Sequence, residues 1–192
     1  MDALPRLVLA SASPRRAALL RQAGIEPSEI LTPSVDETPR KSEAPRLYAL
    51  RVTLDKLRAA GAPEGAVVLA ADTVVACGRR ILPKAETDEE VASCLHLLSG
   101  RRHIVLTAVA VGVGEKIRNR VVATKVNFKR LTPAEIQSYV ASGEGLGKAG
   151  GYAIQGRAEA FVRQINGSYS NVVGLPLYET LGLLTGAGLR AP

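Results

Sequence analysis

The chain has no tryptophan, one methionine, two phenylalanines, two cysteines and two histidines among its 192 residues. So few thiols exclude a disulfide-stapled scaffold, and Cys77 and Cys94 read as reduced, partly buried side chains rather than a bridge. Cys94 and His96 stand two apart on an expected helix and therefore point to different faces, which argues against zinc. The five tyrosines and two phenylalanines are not interleaved with basic residues. They offer no platform for stacked bases, so nucleic acid is not the expected partner despite a net charge of +7. No apolar stretch approaches the ~20 residues of a membrane span. The run Leu7–Ala10 is too short for the apolar core of a signal peptide, and the chain reads as cytoplasmic with no membrane partner.

What is present is the balance of a globular protein, with 46% hydrophobic and 22% charged residues. A chain of this length buries roughly 70% of its unfolded surface, enough for one domain over residues 1–192. Leu7–Ala10 reads as a strand, 14–23 as a helix stopped by Gly24, and 32–43 as a polar loop. Leu47, Leu50, Leu54 and Leu57 predict an amphipathic helix over 47–60. A buried strand over 67–71 continues to Val75 and returns at Ile81-Leu82 as a hairpin. Residues 88–98 form a helix with three acids in its first turn. Residues 104–113 and 121–128 read as long strands around a turn at 114–119. Thr132-Pro133-Ala134-Glu135 is a capping box that opens a helix stopped by Gly143. Six glycines between 143 and 156 mark backbone that turns tightly or approaches a ligand. A strand over 161–165, a turn at Asn166-Gly167 and a helix over 176–185 complete a mixed α/β (α+β) fold with a twisted mixed sheet and flanking helices.

Several residues carry chemistry. In Ser11-Ala12-Ser13-Pro14-Arg15-Arg16 a strand ends in a helix start, with Ser13 as N-cap and Pro14 at the first helical position. The helix dipole disfavours cations there, so Arg15 and Arg16 either receive a polyanion such as phosphate or form an ordinary surface pair. Asp72 interrupts an apolar run, and its carboxylate meets a cation, a donor or water, or simply caps a turn. Thr73 beside it offers a hydroxyl or is merely a strand former. Lys56 and Lys84 are ordinary solvated lysines or part of the several cations a triphosphate needs. Asp36 and Glu37, in the polar loop, either face solvent or hold Mg²⁺ through oxygen. Lys148 and Gln155 bracket the glycine-rich segment, and the Gln155 amide can read a nucleobase edge.

Five ordered blocks, Ser11–Arg16, Ala71-Asp72-Thr73-Val74-Val75, Leu98-Ser99-Gly100, 148–156 and Ile165–Tyr169 with Val173–Pro176, together resemble the Maf family of nucleoside triphosphate pyrophosphatases. The resemblance implies two lobes around a central cleft, an ITPase-like fold, and hydrolysis of a nucleoside triphosphate to monophosphate and pyrophosphate with Mg²⁺ or Mn²⁺. It makes Asp72 the proton acceptor, and Asp72 joins Asp36 and Glu37 as an expected metal contact. It puts Ser11, Arg16, Lys56 and Lys84 on the phosphates and Lys148 on the substrate. Arg15, Thr73 and Gln155 match base-selecting positions of the branch that acts on dTTP and UTP. That branch implies house-cleaning of nucleotide pools, a role in division arrest and a homodimer. A sister branch takes 7-methyl-GTP, and a non-catalytic regulator binding nucleotide or nucleic acid is the alternative of another class. Two departures stand out: the family's Lys-Pro pair is Lys84-Ala85 here, and Gly147 replaces an acid before Lys148.

Overall fold

The structure is a computed structural model that describes residues 6–189. The chain divides into two units: residues 6–72, 107–122 and 174–189 form the first, and 73–106 with 123–173 form the second. Three long strands, β3 (Val67–Cys77), β6 (Arg102–Val113) and β7 (Lys116–Phe128), each contribute one part to either unit.

In the first unit the sheet order is β2-β1-β3-β6-β7. Strand β1 (Leu7–Ala10) pairs in parallel with β2 (Glu29–Leu31) on one side and β3 on the other. All four residues of β1 are buried. That is why Leu7–Ala10 is a continuous apolar run rather than an alternating one, as befits a parallel strand covered on both faces. Helix α1 (Pro14–Gln22) makes the crossover from β1 to β2. Helix α2 (Pro45–Ala59) and the terminal helix α6 (Leu177–Gly186) also belong here. Ala10, Ala70 and Ala110 pack with the larger Leu57 as one core cluster. Leu57 fits because Gly112 has no Cβ, whose position would lie 3.2 Å from the leucine Cδ2.

In the second unit β4 (Arg80–Leu82) forms the expected hairpin with β3, and β9 (Val162–Asn166) pairs antiparallel with β7. A separate pair joins β5 (Lys84–Ala85) to β8 (Lys148–Ala149). Helices α3 (Asp88–Leu98) and α4 (Pro133–Ala141) cover a core that includes Val91, Leu95, Leu98, Phe128, Tyr139 and Ile154. His103 is 1% exposed in this core, edge-on to Phe128 and Tyr152. Its Nε2 meets the Tyr152 hydroxyl at 2.8 Å, while among the described residues its Nδ1 meets no partner. Burial pushes the His103 imidazole down to about 4, so it is neutral near pH 7.

The mixed sheet with flanking helices agrees with the α/β reading, and the differences are local. Helix α2 begins at Pro45, two residues before its first leucine, because proline suits the first helical position. Strand β7 starts at Lys116 because Gly114-Glu115 suffices for the turn, Gly114 taking φ 55°. Phe161 closes a 3-10 turn over Arg157–Phe161 instead of opening β9. The short helix α5 (Tyr169–Val173), β2 and the β5–β8 pair are additions. Among the described residues no helix is long and apolar enough to cross a membrane, and Cys77 and Cys94 are free thiols.

Candidate active site

The parallel pairing of β1 with β3 ends at Ala10↔Ala70, where β1 stops and β3 runs on to Cys77. Ser11 lies one residue past that pair on one strand and Asp72 two residues past it on the other. The carboxyl edge of parallel strands is where α/β proteins bind ligands, because helix starts and loops open there. Both residues are 4% exposed.

Arg16 is drawn into the same place. Helix α1 starts at Pro14, so Arg16 falls in its first turn, and its side chain is 7% exposed. Its guanidinium donates to Ser11 Oγ at 2.8 Å and to the Gly174 carbonyl at 2.9 Å. Burial holds Arg16 below the usual guanidinium range; Asp72 pushes back upward, Arg15 adds to the lowering, and Glu37 raises it again. The charges of Asp72, Arg15 and Glu37 are therefore felt at Arg16, all within the first unit. Ser13 occupies the N-cap position, but its side chain makes no cap bond. Instead its N–H donates to Ser11 Oγ at 3.2 Å, so Ser11 rather than Ser13 organises the turn. Arg15 is partly exposed, and burial lowers it as well.

The second element is a junction of three charges. Lys56 projects from α2 and is 8% exposed, in contrast to an ordinary solvated lysine. Its ammonium lies 2.7 Å from Asp72 Oδ1 and 2.7 Å from Glu37 Oε1. A buried lysine between two carboxylates leaves the group of three with one negative charge, which keeps the burial of each member tolerable. Glu37 thus belongs with Lys56 and Asp72. Asp36 does not follow it: exposed, it turns its Oδ1 onto the Thr38 amide at 2.8 Å, the local bond that aspartate makes in a turn.

Among the described residues no group of three or more His, Cys, Asp or Glu side chains is gathered as a metal cage. The donor set is instead two carboxylates, Glu37 and Asp72, converging on one point now taken by the Lys56 ammonium. Two carboxylates with phosphate and water oxygens making up the remainder are what Mg²⁺ typically takes in phosphoryl-transfer sites, so the residues fit a hard divalent cation.

The remaining predicted site residues lie in the second unit. Thr73 is partly exposed and follows Asp72 along β3. Lys84 is exposed on β5, where it pairs with Ala149. Lys148 sits opposite Ala85 and donates to the Leu146 carbonyl at 2.9 Å. Proline in the place of Ala85 would bring a ring to a position that is 0% exposed. Gly147, at φ 66°, takes a left-handed turn that glycine adopts without strain. Gln155 is exposed beyond the buried run 150–154. Gly174 had no role in the sequence reading, although its block was conspicuous. Only the fold shows that its carbonyl receives Arg16.

The family described as Maf-like protein matches residues 6–187. The chain belongs to the Maf family. Among curated members, a dTTP/UTP pyrophosphatase of Caulobacter vibrioides is 58% identical over 99% of this chain and 100% of its own length. One from Mesorhizobium japonicum is 55% identical over 99% of this chain and 95% of that protein. Another, from Rhodopseudomonas palustris, is 57% identical over 96% and 93% respectively. A solved structure of a HAM1 protein from Coxiella burnetii covers 67% of this chain and 75% of that one at 19% identity, with a TM-score of 0.47, too slight a likeness to carry an argument. Membership in the Maf family gives the ordered blocks one origin, and the Glu37–Lys56–Asp72 junction is what this member builds from one loop, one helix and one strand.

Proposed function

We propose that this protein is a nucleoside triphosphate pyrophosphatase that hydrolyses dTTP and UTP to the monophosphate and pyrophosphate. The observation that carries the reading is the Glu37–Lys56–Asp72 junction, set beside buried Arg16 at the carboxyl edge of parallel strands. The curated relatives named for that activity, at 55–58% identity over nearly the whole chain, supply the substrate class.

In this mechanism Asp72 removes a proton from the water that attacks the α-phosphorus. A P–O bond forms to that water, the bond to the bridging oxygen breaks, and pyrophosphate leaves. Lys56 holds Oδ1 of Asp72, which orients the carboxylate and leaves Oδ2 to take the proton. Arg16, fixed by Ser11 and Gly174, presents a pre-positioned cation to the phosphates and needs no reorganisation as charge develops. Glu37 and Asp72 would hold Mg²⁺ or Mn²⁺, which when bound neutralises phosphate charge. On the family assignment Lys84 contributes to phosphate binding and Lys148 to substrate binding, while Arg15, Thr73 and Gln155 select the base. The enzyme would act on the cytoplasmic nucleotide pool.

The decisive test is pyrophosphate release by purified protein from dTTP, UTP, dCTP, ATP and 7-methyl-GTP. Preference for dTTP and UTP is expected. Turnover of methylated GTP with none of dTTP or UTP would move the protein to the sister branch. Salt-sensitive DNA binding with no triphosphate turnover would make it a regulator instead.

A further inference from the structure

Glu37 lies in a segment, 32–44, that has no strand or helix of its own. Backbone carbonyls in such a segment still require partners, and where they find them fixes the path of the chain. Three consecutive carbonyls here go to two side chains of α2. The Asp36 carbonyl accepts from Arg51 Nη1 at 3.3 Å, the Glu37 carbonyl from the Tyr48 hydroxyl at 2.7 Å, and the Thr38 carbonyl from Arg51 Nη2 at 3.0 Å.

Arg51 also grips the far end of the segment. Its Nε donates to Glu43 Oε1 at 2.8 Å and its Nη2 to Oε2 at 2.9 Å, the bidentate geometry that makes an arginine–carboxylate pair both strong and directional. Glu43 Oε2 in turn accepts the Arg40 amide at 2.9 Å. The Arg51 guanidinium carbon stands 5.5 Å from the centre of the Tyr48 ring, and its side chain is 15% exposed beside a Glu43 that is 10% exposed. The planar fork spreads four donated bonds over a carboxylate and two carbonyls; a lysine ammonium has three donors at one point and does not reproduce that bidentate span.

We infer that Arg51, with Tyr48 and Glu43, is the positioning clamp for Glu37. The clamp grips the backbone on both sides of that residue and hangs from the same helix as Lys56. Tyr48, Val52 and Lys56 follow at intervals of four, one stripe of α2, so the clamp and the lysine it serves keep a fixed offset. The Glu37 side chain is 34% exposed and reaches Lys56 at 2.7 Å from this anchored backbone. Arg51 holds the Glu43 carboxyl down at about 2, so the clamp stays charged throughout the neutral range.

The inference rests on the activity proposed above, and its test separates the two. Arg51→Met, Glu37→Gln and the double variant are compared with the wild type by steady-state pyrophosphate release from dTTP. They are also compared by brief amine acetylation of the folded proteins, read at Lys56 by mass spectrometry with exposed Lys116 as reference. Arg51→Met is expected to lower kcat about 10²-fold, the scale of a 1 Å misplacement, with a smaller change in KM. In the double variant the kcat loss stays close to that of Glu37→Gln alone, because the clamp has nothing left to place. Lys56 acetylation rises severalfold in each single variant and no further in the double. Tyr48→Phe, which removes one hydroxyl, shows a smaller rise and keeps the test open if Arg51→Met does not fold. Losses in kcat that multiply, or Lys56 acetylation unchanged in Arg51→Met and Tyr48→Phe, would overturn the clamp. A wild type that releases no pyrophosphate would refute the activity, and the acetylation comparison would still decide the clamp.

Discussion

Replacing Asp72 by asparagine separates the chemistry of the junction from its contribution to stability. Asp72 is 4% exposed and Lys56 8%, so this charge pair is removed from water. Deleting one partner of a buried pair outright costs ~3–5 kcal/mol, because the other charge is left uncompensated. Asparagine is gentler. Its carbonyl oxygen can still accept from Lys56, now 2.7 Å from Asp72 Oδ1, and Glu37 remains at 2.7 Å to balance the ammonium. The expected loss is therefore about 1–2 kcal/mol, nearer the cost of a weakened hydrogen bond. For a chain of this length that is a fall in Tm of roughly 2–8 °C. Turnover responds on another scale, since an amide cannot take a proton from water: a positioned base contributes ~10²–10⁴-fold, or roughly 3–5 kcal/mol of barrier. The assay pairs calorimetric melting with pyrophosphate release from dTTP and UTP, well below the variant's Tm. Near-normal release would remove Asp72 from the role of base. A drop in Tm beyond about 15 °C would show that the pair is mainly structural and refute the compensation by Glu37.

Two further outcomes follow from the second unit. His103 sits lowered to about 4 in the folded protein against an ordinary value near 6.5, so the unfolded chain binds its proton first as pH falls. The His103 contribution is fully present above pH 6.5 and is lost progressively down to about pH 4, by up to about 3 kcal/mol. Urea melts from pH 7.5 to 4.5 should show this fall, and a His103→Gln variant whose stability falls just as steeply would contradict it. Gly150 takes φ 69°, and a Cβ there would lie 2.8 Å from Val75 Cγ1. Gly150→Ala should cost about 3 kcal/mol from strain and overpacking together, read as a Tm roughly 10 °C lower; an unchanged Tm would mean that the loop re-forms.

The legible parts of the sequence were those in which neighbouring residues satisfy one another. Thr132 and Glu135 form the capping box that their spacing announces, with each side chain bonded to the other's backbone N–H. The continuous apolar run of β1 marked a strand buried on both faces. Asp72 stood out because a carboxylate in an apolar run demands a partner, and Lys56 supplies it. Partnerships made across the fold were invisible. Gly174 acts through a carbonyl, which every residue has, so its hold on Arg16 leaves no mark in composition or spacing. Arg51 carries no local signal, since the two carbonyls and the carboxylate it binds lie 8 to 15 positions away. Ser13 had the composition of a cap without the bond, because the hydroxyl of Ser11 reached the turn first.

Helix α2 carries Tyr48, Arg51 and Lys56 along one rod of fifteen residues. Order in the polar segment is therefore borrowed from the helix, and the two should open and close as one cooperative element rather than as a mobile loop on a static frame. The first turn of α2, started by Pro45 and bearing the 61% exposed Leu47, is where fraying would begin. Any ligand that draws on Lys56 would then be felt as resistance to that fraying, eleven residues from where it binds.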